Sequence, residues 1–168
     1  DVIIDKSYPE NRGLENYRDF ALYFQDEDNI IGTSFMPYLQ NVAGLTGVNY
    51  RLEPWTYRED EGCELGNMFT ACVAADSDPA TPVLKAHAGD RVMINIFGAH
   101  NEQNQMFNMD GHQWRRHLNQ ENSDMIDAEE FGGGEYIQAF VNAGGTYSNP
   151  GTYLWLNART PYQQAGQW

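Results

Sequence analysis

Short alternating segments, separated by turn residues, run along most of this chain. The clearest example follows the Gly89-Asp90 turn, where Val92, Ile94 and Ile96 are spaced two residues apart with other side chains between them. A period of two places apolar side chains on one face of a β-strand, whereas a helix needs a period near 3.6. Helical periodicity is scarce in the rest of the chain, so the pattern predicts an all-β fold.

Similar segments recur between clusters of Gly, Pro, Asn and Asp, and the expected elements can be placed along the chain. In residues 17–24, Phe20, Leu22 and Phe24 share one predicted face and Tyr23 lies on the other. Several short strands joined by Gly and Pro turns are typical of a two-sheet sandwich with Greek-key connections. Strands are predicted over 17–24, 48–52, 82–86, 91–97, 105–109, 135–143 and 152–156, a surface excursion over 55–78 and a helical turn over 126–131.

Length and charge limit the classes of protein to which the chain can belong. With 168 residues, 41% of them hydrophobic, it is long enough to bury one sizeable core, so one domain over 1–168 is expected. A formal charge of −14 repels phosphate backbones and anionic lipids. No apolar run approaches the roughly 20 residues that cross a bilayer. We therefore expect neither nucleic-acid binding nor membrane insertion.

The first residue and the two cysteines suggest an exported protein. The chain starts at Asp1 without Met, either because a signal peptide has been removed or because it belongs to a longer protein. Cys63 and Cys72 form an even pair in a turn-rich, acidic region, which favours a disulfide over two unpaired thiols. We predict an extracellular or periplasmic location.

A set of short motifs in the second half of the chain carries a family likeness. In order they are Asp78-Pro-Ala-Thr-Pro-Val83, Gly89-Asp-Arg-Val92, Phe107 with Gly111-His-Gln-Trp114, Ala143-Gly-Gly145, and Gly151-Thr-Tyr153 with Gly166-Gln-Trp168. Together they resemble a cupredoxin domain of the multicopper oxidase family, closest to the bacterial manganese-oxidising type. The resemblance covers 78–168 well and 17–54 more loosely. It implies a cupredoxin-like Greek-key β-sandwich with its core in 78–168, preceded over 1–77 by N-terminal strands and a long stapled loop.

The residues at the family's copper-ligand positions are different here. An active domain of that family carries His-Pro-Phe-His-Leu-His-Gly-His and, much later, His-Cys-His followed by a further His and an axial Met. At these positions the present chain has Gln105, Asn108 and Asp110, then Leu156-Asn157-Ala158, Tyr162 and Gln167. Blue copper requires a thiolate and imidazoles, and amides or aliphatic groups do not replace them. We expect no catalytic residue, no metal ligand at these positions and no cofactor.

Other groups of residues leave copper or calcium open as alternatives. His100, His112 and His117 lie in one stretch and would bind copper or zinc if the chain brought them together. The alternative is that His112 is a hydrogen-bonded structural histidine and that the others lie at the surface. Acidic runs at 26–28, 59–61 and 124–130 supply oxygen ligands suited to calcium, although such runs are more often solvated loops.

The expected function is a non-catalytic module that acts in structure, assembly or protein interaction. Trp114, Arg115 and Arg116 are a candidate partner contact, or a cation-π pair within the fold. The family has a further strand after the position of Trp168, so sister domains or subunits are expected to add a strand at the C-terminal edge. One alternative is a domain of a working copper-dependent metal oxidase whose copper sites lie mostly on other domains. Another is an acidic, calcium-stabilised extracellular lattice or adhesion protein.

Overall fold

The computed structural model describes residues 2–7, 9, 15–26, 46–60, 69, 79–101 and 103–168. In this part of the chain, β-strands dominate and the helices are short. The helices are α1 Trp55–Asp60 and α2 Thr160–Ala165, with a 3₁₀ turn at Gly145–Tyr147. The strands are β1 Arg18–Asp26, β2 Thr46–Val48, β3 Arg91–His100, β4 Gln105–Met109, β5 Trp114–Arg115, β6 Met125–Ile126, β7 Ala128–Phe131, β8 Tyr136–Asn142 and β9 Trp155–Asn157. The all-β class predicted from the sequence is confirmed.

The strands form two main sheets and a small hairpin. The larger sheet has the order β2-β1-β3-β8, in which β1 and β3 are parallel and the other pairs are antiparallel. The second sheet has the order β7-β4-β9 and is antiparallel. Strands β5 and β6 pair with each other. Because β1 and β3 are parallel neighbours, the N-terminal region and the region after residue 78 contribute to one sheet.

The two main sheets pack face to face around aromatic side chains, in a sandwich-like arrangement. Phe24 of β1 is fully buried, and its ring lies 6.3 Å from Phe107 of β4, 5.3 Å from Phe131 of β7 and 6.1 Å from Trp155 of β9. Burying a side chain of this size stabilises a fold by about 1.5 to 3 kcal/mol. Around Phe24 the core contains Leu22, Val48, Val92, Ile94, Ile96, Phe107, Trp114, Phe131, Ala139, Val141 and Trp155.

The strand predictions are correct where the apolar alternation is strong. Strand β4 has the predicted bounds, and β1 buries Leu22 and Phe24 while Tyr23 is exposed. The predicted strand over 48–52 is wrong, because Asn49 and Tyr50 have positive φ angles of 53° and 61° and turn the chain directly after β2. Residues 82–86 form no regular strand.

The helical turn predicted over 126–131 is also wrong. This segment contains the end of β6 and all of β7, and β7 pairs with β4 in the register Gln105↔Phe131 and Phe107↔Glu129. Pairing across the sheet buries Phe131, which is 1% exposed. Tertiary contacts therefore override the local sequence pattern here. Helices α1 and α2 were not predicted, since six residues are too few to display a helical period.

Candidate functional site

Four of the positions predicted to correspond to copper ligands lie together inside the protein. Gln105 starts β4, Asn157 ends β9, Tyr162 lies in α2 and Gln167 follows α2. Gln105, Asn157 and Gln167 are 0% exposed and Tyr162 is 9% exposed. Asp26, at the end of β1, joins them and is 1% exposed. We call these five residues the polar cluster.

Asn157 is at the centre of the polar cluster. Its Nδ2 donates to Gln105 Oε1 and, at 2.5 Å, to Gln167 Oε1. Its Oδ1 accepts hydrogen bonds from the backbone N–H groups of Arg159 (3.0 Å) and Met106 (3.3 Å). A side-chain amide has two N–H donors and an oxygen with two lone pairs. All four bonding positions of Asn157 are therefore used within the protein.

Asp26 brings a carboxylate into this buried site. Its Oδ2 accepts hydrogen bonds from Gln105 Nε2 (2.7 Å), the backbone N–H of Gln103 (3.1 Å) and the Tyr162 hydroxyl (3.3 Å). Buried charge is tolerated when hydrogen-bond donors replace water, and three donors do so here. Burial raises the pKa of the Tyr162 phenol, and the nearby Asp26 carboxylate raises this pKa further. The phenol is thereby kept protonated as a donor.

Gln167 connects the polar cluster to the edge of the larger sheet. Its Nε2 donates to Gln25 O (3.0 Å), Gly47 O (3.3 Å) and Thr46 Oγ1. The Thr46 hydroxyl in turn donates to Gln25 O at 2.8 Å. The side chains of the cluster thus join β1, β2, β4, β9 and the segment after α2.

The backbone after β9 explains why residues ten apart in sequence meet at this site. Pro161 lies in the first turn of α2, where its missing N–H leaves no helical bond unmade. Gly166 ends the helix at a φ of 112°, and a Cβ there would lie 2.4 Å from the backbone N of Glu53. This left-handed residue reverses the chain, and the backbone N–H of Asn157 then donates to Gln167 O at 2.9 Å.

The chemistry of the polar cluster does not fit a blue-copper centre. Copper of that type is held by a thiolate and two imidazoles, whereas these side chains supply three amides, a carboxylate and a phenol. The Oε1 atoms of Gln105 and Gln167 both accept from Asn157. Across the described residues, no group of three or more His, Cys, Asp or Glu side chains is placed to hold a metal ion.

The other predicted ligand positions have separate environments. Asn108 is half-buried and donates to Asp127 O at 3.1 Å. Asp110 and Ala158 are exposed, and Leu156 is buried at 9% exposure. Only Gln105, Asn157, Tyr162 and Gln167, of the eight predicted positions, belong to the polar cluster.

His112 has the structural role that the sequence left as one of two alternatives. It is 3% exposed, and its Nε2 accepts hydrogen bonds from the N–H groups of Gly144 (3.1 Å) and Gly145 (3.2 Å). Its Nδ1 bonds to Asp110 O at 2.9 Å, which requires the proton on Nδ1. Both ring nitrogens are used, so this imidazole has no lone pair for a metal. His117 is exposed, and His100 is the last residue of β3.

The candidate partner contact is only partly at the surface. Trp114 is 0% exposed and packs 5.8 Å from the Phe107 ring, so the prediction that it contacts a partner is wrong. Arg115 and Arg116 are exposed, and Arg116 Nε lies 3.6 Å from a Glu129 carboxylate oxygen. Trp114 is buried because it begins β5 on the side that faces the core.

The predicted disulfide and two of the acidic runs extend beyond the described part of the chain. Cys63 and Cys72 lie outside the described residues, and the disulfide stays a prediction. Residues 27, 28 and 61 of the acidic runs also lie outside the described residues. In the third run, Glu129 pairs with Arg116, and Glu130 accepts a hydrogen bond from Asn104 Nδ2 at 3.0 Å.

Asp26 belongs to the site, although the sequence placed it in an acidic surface run. One signal could have identified it: Asp26 continues the series Phe20, Leu22 and Phe24, which alternates on the inward face of β1. A carboxylate at an inward position needs buried partners. The donors that supply them come from residues 77, 79 and 136 positions later in the chain.

No protein-family model matches the sequence, and no curated protein matches it either. Within the described part of the chain, no helix is long and apolar enough to cross a membrane.

Proposed function

We propose that the chain is a copper-free, cupredoxin-like module of an exported multicopper-oxidase-like protein, and that it acts in structure and assembly rather than in catalysis. One observation carries this proposal: Gln105, Asn157, Tyr162 and Gln167, four of the eight positions that correspond by resemblance to copper ligands, meet in one buried cluster. The four side chains converge as ligands do in a binding site, but their chemistry is that of a hydrogen-bonded core. A fold does not confer activity when the site residues are replaced.

The order of the strands supports the cupredoxin part of the proposal. In the larger sheet the parallel pair β1 and β3 lies between β2 and β8, and β4 and β9 face it from the second sheet. A parallel pair requires a crossover connection instead of a hairpin, and the chain between β1 and β3 includes β2 and α1. Greek-key sandwiches also contain connections longer than a hairpin.

The proposed structural role follows from what the polar cluster connects. A metal at this site would join β4, β9 and the segment after β9, and the hydrogen bonds of Asn157 and Gln167 join the same segments. Satisfied buried networks rigidify a fold and favour one arrangement of its strands. A rigid, metal-independent module suits a role in packing against sister domains or subunits.

Metal analysis of the purified protein tests this proposal directly. We expect no stoichiometric copper and no intense visible absorption, because a thiolate is absent from the polar cluster. Stoichiometric copper with a blue band would refute the proposal and favour a domain of a working oxidase. Bound calcium would favour the calcium-stabilised lattice or adhesion protein.

Restoring the ligands tests the correspondence of the positions. The variant Gln105→His, Asn157→Cys, Tyr162→His, Gln167→Met places two imidazoles, a thiolate and a thioether where the cluster now lies. We expect it to bind one Cu²⁺ and to gain an intense visible thiolate-to-copper band. The matched control carries Ser instead of Cys at position 157 and should lack the band. A folded variant without any copper uptake would contradict the cupredoxin interpretation.

A further inference from the structure

One ring nitrogen of His112 holds a tight turn between β8 and β9, which we call the glycine turn (residues 144–149). Nε2 of His112 accepts hydrogen bonds from the backbone N–H groups of Gly144, at 3.1 Å, and Gly145, at 3.2 Å. Nδ1 lies 2.9 Å from the Asp110 carbonyl oxygen and therefore carries the ring proton. The closed form of the glycine turn thus requires a neutral imidazole with its proton on Nδ1.

A second proton on His112 is incompatible with these contacts. In the imidazolium form both ring nitrogens carry hydrogen, and neither accepts a hydrogen bond. The Nε2–H group would then point at two backbone N–H donors, and the buried N–H of Gly145 would lose its acceptor. Because the ring is 3% exposed, water cannot replace the lost partners unless the turn moves.

The backbone of the glycine turn is fitted closely to the segment that carries His112. Gly144, Gly145 and Ser148 have positive φ angles of 83°, 69° and 51°. Serine adopts this left-handed conformation only where the surrounding contacts impose it. At Gly145 the two segments are so close that a Cβ would lie 2.3 Å from Gly111 O. The turn therefore has one docked conformation, which packs against Gly111 and His112.

The glycine turn can open while the two main sheets stay folded. Apart from Gly145, its residues are at least partly exposed, and Tyr147 is 84% exposed. None of its residues belongs to the hydrophobic core. Its other backbone–backbone hydrogen bonds are internal, from Ser148 N to Gly145 O and from Asn149 N to Gly144 O. Opening a loop of this kind requires less free energy than unfolding the core.

The groups around His112 do not offset an added positive charge. Tyr153 packs edge-to-face against the imidazole, with ring centroids 4.7 Å apart. Asp110 contacts the ring through its carbonyl oxygen, and its side chain is exposed. Asp90, in the neighbouring turn before β3, is held by Arg18, whose hydrogen bond lowers the pKa of this carboxyl. None of the ion pairs in the described part of the chain involves His112.

We infer that His112 is an acid-sensitive switch, which keeps the glycine turn closed at neutral pH and releases it on protonation. The closed turn binds one proton fewer than the open turn, so a falling pH favours opening. Histidine is the side chain that usually changes charge between about pH 5 and pH 8, and the turn should open within this range. Release frees the N–H groups of Gly144 and Gly145 and reshapes the surface around Tyr147.

Nuclear magnetic resonance of the full chain, from about pH 8 to about pH 5, tests this inference. At the higher pH we expect ring ¹⁵N shifts of a neutral His112 with its proton on Nδ1, and protected amides at Gly144 and Gly145. As the ring gains its second proton, the protection of these two amides should fall by about tenfold or more, with the same midpoint. Protection is taken relative to the exchange rate of an unstructured chain at each pH. The amides that pair β3 with β8 should stay protected.

Substitutions at three histidines locate the switch. His112→Gln keeps a side-chain acceptor near the place of Nε2 and cannot be protonated, so the glycine turn should have equal protection at both pH values. His87→Gln and His117→Gln, at exposed histidines, retain His112 and should release the turn as the unaltered chain does.

Three outcomes would overturn the inference. They are a glycine turn that keeps its protection at about pH 5, an equal release in His112→Gln, and a loss of protection in β3 and β8 together with the turn. The comparison of midpoints in the unaltered chain does not depend on whether His112→Gln folds.

Discussion

Replacing Asn157 by Ala tests whether the polar cluster stabilises the fold. The change removes the donor for Gln105 Oε1 and for Gln167 Oε1, and both glutamines are 0% exposed. A buried polar group that loses its partner costs about 1 to 3 kcal/mol. Two such groups predict a loss of about 2 to 6 kcal/mol, a large fraction of the 5 to 15 kcal/mol typical of a folded domain. The backbone N–H donors of Met106 and Arg159, which lose Asn157 Oδ1 as their acceptor, add less, since both hydrogen bonds are only partly buried.

The assay is urea unfolding followed by far-UV circular dichroism. We expect Asn157→Ala to lower the urea concentration at the midpoint of unfolding. The dependence of the unfolding free energy on urea concentration should not change, since the surface exposed on unfolding stays the same. Asn108→Ala is the matched control, because Asn108 is half-buried and its side chain donates one hydrogen bond, to Asp127 O. That variant should lose about 1 kcal/mol or less. Equal losses for the two variants, or a loss below about 1 kcal/mol for Asn157→Ala, would refute the reasoning.

Three further substitutions have definite expected outcomes. The pKa of Tyr162 is raised above 10.0 in the folded protein, so the unfolded chain loses this proton first as the pH passes 10. The free energy of unfolding should therefore fall with rising pH in this range. Tyr162→Phe should reduce this alkaline loss of stability, measured by urea titrations at several pH values. His112→Ala should lower stability by about 2 to 4 kcal/mol in thermal or urea unfolding, because the buried N–H of Gly145 loses its acceptor, and it should leave metal content unchanged. Gly145→Ala should destabilise the protein more than Gly134→Ala in the same unfolding assay. Both glycines have positive φ, but only at Gly145 would a Cβ meet a backbone oxygen, at 2.3 Å. Equal losses of stability would contradict this explanation.

The strands that could be located from the sequence are those with one buried face. Strands β3 and β4 were predicted closely because alternation of apolar residues is a local signal of burial on one side. Residues 128–131 show the limit of that signal. Their local sequence is compatible with a helix, but they form a strand because pairing with β4 buries Phe131.

The candidate site was predictable only as a set of positions. Resemblance to a family aligned eight positions with copper ligands, Gln105, Asn157, Tyr162 and Gln167 among them, and the residue types argued against a thiolate centre. Their hydrogen bonds could not be predicted, because they depend on how α2 and Gly166 return the chain to β9. Trp114 failed as a surface prediction for the same reason: its burial depends on the packing of β5 against other strands.

The sequence by itself determined the all-β class and the acidic charge, since these follow from local period and composition. Only the tertiary structure decided that Asp26 meets Gln105 and Tyr162, and that β1 and β3 are parallel neighbours in the larger sheet. Both features arise from contacts between segments far apart in the chain. A local pattern records which side of a strand is apolar, but the identity of the neighbouring strand is set by packing of the whole chain.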